Sequence, residues 1–457
     1  MKIIIIGDGK VGYSLAETLS QDKNDVTIID KNDEALKKAS ENLDVMCIRG
    51  SGVSASVMIE AGVKDADLVI AATSSDELNM VSCLAAKKLG AAHTVARIRD
   101  PEYTNELSML KHELGLDAVI NPEQAAAREI ARLLRFPSAV NVETFARGRV
   151  ELVEIMADEE TPVVGMKIKN ISRTFSSNIL IGAVLRGEEL VIPNGEFEIQ
   201  EGDTLYIIGS PESVFDFCRL IGKCKQEIKN IMVIGGSRVA YYLVQDIKKT
   251  NMKVKIIESS RERCMELSEL LPGTLIINGD GSDEDLLLSE NLHEMDALVT
   301  LTGRDEENLM IAFSGKQHGV GKVIAKVTKT NYPNVIKKMG IDNIINPKRI
   351  TADYIVRYVR GMKNAFGTPI ETLYRIIGGK AEVIEFIAGP STRFLNVPLR
   401  KLKMVENTLV AAIVRKGQII IPHGNDSITK DDNVIIVTMN SGLTDLNEIL
   451  ASGGLSE

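Results

Sequence analysis

Lys2-Ile3-Ile4-Ile5-Ile6-Gly7-Asp8-Gly9-Lys10-Val11-Gly12 decides the reading of this chain. Four consecutive isoleucines suit a strand buried on both faces, and the apolar spacing of Val11–Leu19 suits a helix. A G-x-G-x-x-G pattern is informative only where it joins such a strand to such a helix, and here it does. In that setting Gly7 makes the tight turn, Gly9 leaves room at the backbone for a pyrophosphate, and Gly12 lets the helix pack closely on the strand. The unpaired N–H groups of the first helical turn and the positive end of the helix dipole face the same point. Asp30 ends the next apolar run. A carboxylate there accepts hydrogen bonds from ribose hydroxyls and repels a 2′-phosphate, so NAD is expected over NADP. The plain alternative is a glycine-rich turn with a surface aspartate at a strand end.

The same stretch returns later as Asn230-Ile231-Met232-Val233-Ile234-Gly235-Gly236-Ser237-Arg238-Val239-Ala240. Other matches follow in the same order. Val26–Asp30 matches Val254–Glu258, Gly50–Gly52 matches Gly279–Gly281, Asp76–Asn79 matches Asp305–Asn308, and Asn121-Pro122 matches Asn346-Pro347. Beyond them Val184–Gly195 resembles Ile413–Gly424. The chain therefore reads as an internal duplication of a pair of domains. The expected bounds are 1–135 and 228–361 for the larger domain of each pair, and 140–224 and 368–453 for the smaller.

Within the first larger domain Ile3–Ile6, Asp25–Ile29, Asp44–Ile48, Leu68–Ala71, Thr94–Ile98 and Ala118–Ile120 read as strands. Helical patterns at Val11–Leu19, Asp33–Asn42 and Glu77–Leu89 lie between them. The fold class is α/β: two Rossmann-like, doubly wound parallel sheets. Each is followed by a small α+β domain, with strands at Val150–Met156 and Thr204–Ile208, a hairpin through Arg186-Gly187-Glu188 and a closing helix from Pro211. An amphipathic stretch at Glu123–Leu134 carries Ala126, Ile130, Leu133 and Leu134 on one side; its counterpart offers Ile350, Tyr354, Ile355 and Tyr358. Such a stripe covers either its own sheet or a neighbouring one.

The second turn is altered. Gly235 is kept, Ala240 is acceptable at the last glycine position, and Glu258 preserves the acidic strand end, but Ser237 puts a Cβ where the backbone should meet a phosphate. Gly235, Ser237, Val239 and Glu258 thus form either a weaker second site or a purely structural turn. Lys10 and Arg238 hold the same turn position in the two halves, as ligand contacts or as solvated cations. Arg97 and Arg99, two residues apart at a strand end, could meet an anion or form ordinary ion pairs.

Composition narrows the function. The 457 residues carry a formal charge of −9, which argues against a broad nucleic-acid surface. No apolar run approaches the length that spans a bilayer, the longest being strand-sized at Ile179–Leu185 and Leu409–Val414. No cleavable leader is read at the N-terminus. Cys47, Cys83, Cys218, Cys224 and Cys264 form no C-x-x-C pair, so neither a zinc site nor a disulfide framework is expected. His93, His112, His293, His318 and His423 form no metal-binding pattern, and no P-loop or Tyr-x-x-x-Lys pair is present. A dinucleotide turn without acid–base residues beside it suggests a sensor. The competing reading is an NAD-dependent oxidoreductase whose catalytic residues lack a recognisable motif.

Ile6–Gly12, Asp30, Gly50–Gly52, Ala66-Asp67, Thr73–Met80 and Ala96–Tyr103 together resemble the RCK (KTN) domain. The alternation of large and small domains over the whole chain resembles the peripheral regulatory subunit of Trk-type potassium-uptake systems. The resemblance implies that Gly7, Asp8, Gly9, Lys10, Val11, Gly12, Asp30, Thr73, Ser74 and Arg97 surround NAD(H), or ATP or ADP. It implies a homotetramer with a ring of eight Rossmann-like domains, held at the cytoplasmic face of the membrane by a potassium-channel subunit. It also makes the stretch at Glu123–Leu134 a crossover helix that packs on a neighbouring Rossmann-like domain. Ser237 departs from the family pattern.

Overall fold

The computed structural model describes residues 1–103, 113–136, 141–223, 228–248, 250–328, 340–341, 343–363, 370–376, 380–440 and 442–455. Cys224, His112 and the expected bounds at 140, 224 and 368 lie outside the described residues. The first sheet has six parallel strands: β1 Lys2–Ile6, β2 Asp25–Asp30, β3 Met46–Arg49, β4 Leu68–Ala71, β5 His93–Arg97 and β6 Ala118–Ile120. Their order is β3-β2-β1-β4-β5-β6. Strand β1 pairs with β2 on one side and with β4 on the other, and the chain runs outward through β2 and β3 before crossing back to β4, so the order reverses beside β1. In open α/β sheets ligands bind at that switch point, beyond the carboxyl ends of the strands. The four isoleucines of β1 are all buried, as a strand covered on both faces requires.

Capping chemistry sets the helices. Helix α1 (Lys10–Gln21) starts at Gly9 with no side-chain cap. Helix α2 (Asp33–Asn42) is capped by Asn32, whose side chain accepts from Glu34 and Ala35 N–H. Between β3 and β4 lies the short helix α3 (Ala55–Glu60). Helix α4 (Asp76–Leu89) is capped by Ser75 and closed by Gly90 in the left-handed conformation. The third strand begins at Met46 rather than Asp44, because Leu43 N–H still bonds back to Ala39 at the end of α2.

A second six-stranded parallel sheet repeats the order with strands Asn230–Ile234, Lys253–Glu258, Leu275–Asn278, Ala297–Thr300, Lys322–Lys326 and Asn343–Ile345. Two five-stranded antiparallel sheets also share one topology. Each is pinned by a forked pair at the same place: Arg186 donates to both oxygens of buried Asp203 at 2.8 and 2.7 Å, and Arg415 does so to buried Asp432. These two sheets share a single core in which Leu152, Tyr206 and Ile208 of one meet Val383, Ala412 and Val437 of the other.

The chain forms two compact units, residues 1–127 with 346–356 and residues 128–345 with 357–457. The boundaries cut the helices Pro122–Arg135 and Pro347–Lys363. Residues 346–356 therefore belong with the first sheet, and 128–135 with the unit that contains the second. Ala126, Ile130, Leu133 and Leu134 are buried as expected. On the other helix the buried stripe runs through Thr351, Ala352, Ile355 and Val359, while Tyr354 is 40% exposed.

Buried Glu385 joins the two antiparallel domains: its carboxylate accepts from Ala146 N–H at 2.9 Å and from the Asn433 amide at 2.6 Å. Glu385→Leu strands a buried N–H, so it should lower stability to urea by about 1–3 kcal/mol. Glu385→Gln, which keeps one acceptor oxygen, should cost less. Equal unfolding midpoints for wild type and Glu385→Leu would refute this role.

Candidate functional site

The turn after β1 meets the geometric demands of a phosphate cradle. Gly7 has φ +101°, a region that disfavours side chains, and a Cβ there would lie 3.0 Å from the Thr73 backbone. A Cβ on Gly12 would fall 1.7 Å from the Gly7 carbonyl oxygen, so only glycine lets α1 approach the strand this closely. Gly9 differs from both: a Cβ on it would meet nothing within 4 Å. The space over Gly9 faces the uncapped start of α1, whose first turn carries no acidic residue. Free N–H groups, a positive dipole end and open space are the features that suit an anion. Lys10 is exposed beside it.

Asp30 stands at the end of β2 with both oxygens engaged, Oδ2 accepting from Asp8 N–H at 2.6 Å and Oδ1 from Asn32 N–H at 2.8 Å. These bonds fix the carboxylate at the strand end and leave it lone pairs for further donors. Asp8 lies behind it, buried, and neither of its carboxylate oxygens has a partner. Burial first, and then the charge of Asp30, push the Asp8 carboxyl up to about 6 from its usual 3.8, against the pull of Lys38. Val11 is buried in the first turn of α1.

On the other side of the switch point, Asn79 organises the ends of β4 and β5. It is fully buried; its Oδ1 accepts from Thr73 N–H at 2.8 Å and the Thr73 hydroxyl at 2.7 Å, while its Nδ2 donates to Arg97 carbonyl at 2.8 Å. Asn79 was not among the expected site residues, although its recurrence as Asn308 was the signal. Arg97 reaches Glu123 at 3.3 Å, yet its Nε and the Glu123 Oε2 are buried without a hydrogen-bond partner. Arg99 instead grips buried Asp76 at 3.1 Å and donates to the Ser74 carbonyl. The two arginines therefore do not act as one anion clamp, and each has its own carboxylate. Ser74 is exposed.

Gly7, Asp8, Gly9, Lys10, Val11, Gly12, Asp30, Thr73, Ser74 and Arg97 thus sit at one end of one sheet, around its switch point. The unpartnered oxygens of Asp8, the Arg97 Nε and the open approach over Gly9 suit a ligand with hydroxyl donors at one end and phosphate between. These residues fit an adenine dinucleotide.

The second turn keeps the frame and changes the approach. Gly235 has φ +98°, Glu258 Oε2 accepts from Gly236 N–H at 2.7 Å, and Asn308 repeats the bonds of Asn79, to Thr302 N–H and Lys326 carbonyl. Ser237 stands at the helix start in place of Gly9, with its Oγ buried and unpartnered, and Val239 is buried behind it. Arg263 donates to the Gly236 carbonyl at 2.7 Å. Among the described residues no cluster of metal-ligating side chains forms, and no helix is long and apolar enough to cross a membrane. Cys83, Cys218 and Cys264 are buried single thiols.

Comparison with known proteins places these features in a family. The TrkA-N domain family matches residues 3–122 and 231–347, and the TrkA-C domain family matches 152–222 and 383–451. The Trk system potassium uptake protein TrkA homolog 1 of Methanosarcina mazei is 36% identical, covering 98% of this chain and 99% of its own. The TrkA homolog of Archaeoglobus fulgidus is 33% identical over 98% of this chain and 100% of its own. The GsuK channel bound to NAD shares the fold with a TM-score of 0.63 at 17% identity, covering 96% of this chain and 76% of that one.

A carboxyl whose value is raised on folding holds its proton in the folded state after the unfolded chain has lost it. Its effect on stability is therefore most favourable below 3.8 and is lost as pH rises through about 6. Asp8→Asn should accordingly stabilise the ligand-free chain at pH 7.5 by about 1–3 kcal/mol, and the advantage should vanish near pH 4. Thermal unfolding of both proteins across that range measures it; a difference independent of pH would contradict the assignment.

Proposed function

Because the chain belongs to the TrkA family, with its TrkA-N and TrkA-C domains each present twice, we propose that it is the nucleotide-sensing regulatory subunit of a Trk-type potassium-uptake channel. The observation that carries the reading is the open Gly9 approach at the uncapped start of α1, flanked by Asp30 and by the buried, unpartnered oxygens of Asp8. In this reading the ligand is NAD(H), with ATP or ADP as further adenine nucleotides for the same turn. The α1 N–H groups and Lys10 hold the phosphates, Asp30 and Asp8 accept from the ribose, and Thr73, Ser74 and Arg97 line the far side of the switch point. Gly235, Ser237, Val239 and Glu258 form a second, weaker site. When bound, the dinucleotide could in principle exchange hydride, but the residues around it position and bind; the chain is read as a regulator, not an enzyme.

The partner is a separate membrane potassium channel, and the working form is a tetramer presenting eight Rossmann-like domains at the inner membrane face. The four domains are taken as 1–135, 140–224, 228–361 and 368–453. A nucleotide with different affinities for two arrangements of these domains shifts their populations, and a coupling of about 1–3 kcal/mol per site is typical.

Calorimetry on the full chain should show NAD binding more tightly than NADP, and Asp30→Ala weakening NAD by about 1.5–3 kcal/mol. Gly9→Ser should remove most of that affinity, whereas Ser237→Gly should leave or strengthen the weaker site. Equal affinities for NAD and NADP would sink the ribose assignment. For gating, the measurement is potassium uptake in cells that carry the transporter with either the wild-type chain or a Gly9→Ser, Asp30→Ala double variant. Uptake should lose its nucleotide response with the complex still assembled; an unchanged response from a folded, expressed variant would reject the proposal.

A further inference from the structure

The two Rossmann-like domains differ in charge at the end of the sheet opposite the glycine turn. In the second domain a cavity of about 510 Å³ opens there, at the amino ends of the strands Asn230–Ile234, Lys253–Glu258 and Leu275–Asn278. Its floor is apolar, with Ile231, Ile247 and Leu271 buried, and Leu275 forms a wall that is 54% exposed. Lys248, Lys253 and Lys255 line the same space. Lys255 pairs with Glu290 at 2.9 Å, while Lys248 and Lys253 are exposed and have no ion-pair partner among the described residues.

The first domain supplies an internal control. Strand pairing aligns Asp25 with Lys253, since Asp25 pairs Lys2 and Lys253 pairs Asn230. It likewise aligns Thr27 with Lys255, through Met46 and Leu275. By the same alignment Glu17, Ser20 and Asn24 stand where the second domain has Gln245, Lys248 and Met252, and Asp44, two residues before Met46, stands where it has Gly273, two before Leu275. Of three carboxylates in the first domain, Asp25 is replaced by Lys253, Glu17 by Gln245 and Asp44 by Gly273, while Lys248 and Lys255 replace the neutral Ser20 and Thr27; only Lys2 to Asn230 runs the other way. Asn24 is buried and ties its amide to the Leu19 carbonyl at 2.9 Å; Met252 in its place is half-buried and lines the cavity. A fold needs no lysines at this place, since the first domain forms the same sheet without them.

We propose that this cavity is a binding site for a small amphipathic anion, a carboxylate or phosphate carried on an acyl-like apolar body. Its volume lies within the usual range for small-molecule sites. A wholly apolar ligand would leave two ammonium groups unused at the rim. A compact inorganic anion would leave the Leu275 and Met252 surfaces in water. An anion with an apolar tail satisfies both, with the lysines engaging its head and their methylene stems covering its body.

The probe is decanoate, titrated below its aggregation concentration into the full chain and followed by calorimetry, with decanol as its uncharged counterpart. Saturable one-to-one binding is expected, weaker for decanol. The Lys248→Glu, Lys253→Glu double variant, altered only at exposed side chains, should weaken decanoate by about tenfold or more. Leu275→Asp should weaken it as well, with unfolding midpoints confirming that both variants fold. No saturable binding, equal affinity in the variants, or equal affinity for decanol would overturn the proposal. Binding of the lysines to phosphatidylglycerol vesicles without any binding of free decanoate would overturn it too, by assigning them to a lipid surface.

Discussion

The contact of α1 with the Gly7 carbonyl is the constraint on which the ligand end of the first sheet depends. With 1.7 Å between that oxygen and any Cβ at position 12, no residue but glycine lets the helix begin where it does. The helix axis then points over Gly9 with its first N–H groups uncapped. Asp30 secures the same turn from the other side by accepting from Asp8 N–H. A helix start displaced outward would lose both the dipole alignment and the space over Gly9, because both belong to one short stretch of backbone.

Duplication separates the frame from what is attached to it. Gly235, Glu258 and Asn308 repeat the geometry of Gly7, Asp30 and Asn79 almost bond for bond. These residues hold strand ends and turn backbone in place whether or not a ligand follows. The residues that differ are those facing the approach: Ser237 for Gly9, Gly236 for Asp8 and Lys326 for Arg97. The acidic strand end illustrates the point. Asp30 and Glu258 each accept a turn N–H, so an acid at this position already has a structural task, and its presence alone says less about ribose than the motif suggests. The open space over Gly9 is the more telling feature, because the frame does not need it.

Much of this was legible in the sequence because the signals were local or repeated. Isoleucine runs and glycine turns depend on neighbours a few residues away, and the order of matches between halves exposed the four-domain plan. The strand and helix bounds shifted by one or two residues, as at α1, β3 and β5. Less legible were properties that depend on distant partners. Arg97 and Arg99 look alike in sequence, yet Glu123 and Asp76, on different helices, give them separate roles. Asp8 is placed at the site by its position in the turn alone, and only burial shows it to be a carboxyl pushed up to about 6. The stripe on Pro347–Lys363 was misjudged at Tyr354 because two polar-tipped aromatics mimic an apolar face, whereas Thr351 is buried by bonding its hydroxyl to the Pro347 carbonyl at 2.7 Å.

The unpartnered atoms around the switch point bear on how a ligand could be sensed. Buried polar atoms without partners cost the free protein stability, commonly about 1–3 kcal/mol each. Asp8 Oδ1 and Oδ2, Arg97 Nε and Glu123 Oε2 all belong to the first unit and lie at the ligand end of its sheet or on the helix that follows. A ligand that donates to the carboxylates and accepts from the guanidinium removes part of that cost, so its binding energy is returned as stability of the segments that carry these atoms. Those segments are the turn after β1, the end of β5 and the start of the helix Pro122–Arg135. The last of these continues past residue 127 into the other compact unit. On the proposed reading, occupancy would be linked to the order of a helix that begins at the carboxyl end of the first sheet, and linkage of this kind needs no catalytic step: a change in which conformations are populated would itself be the output.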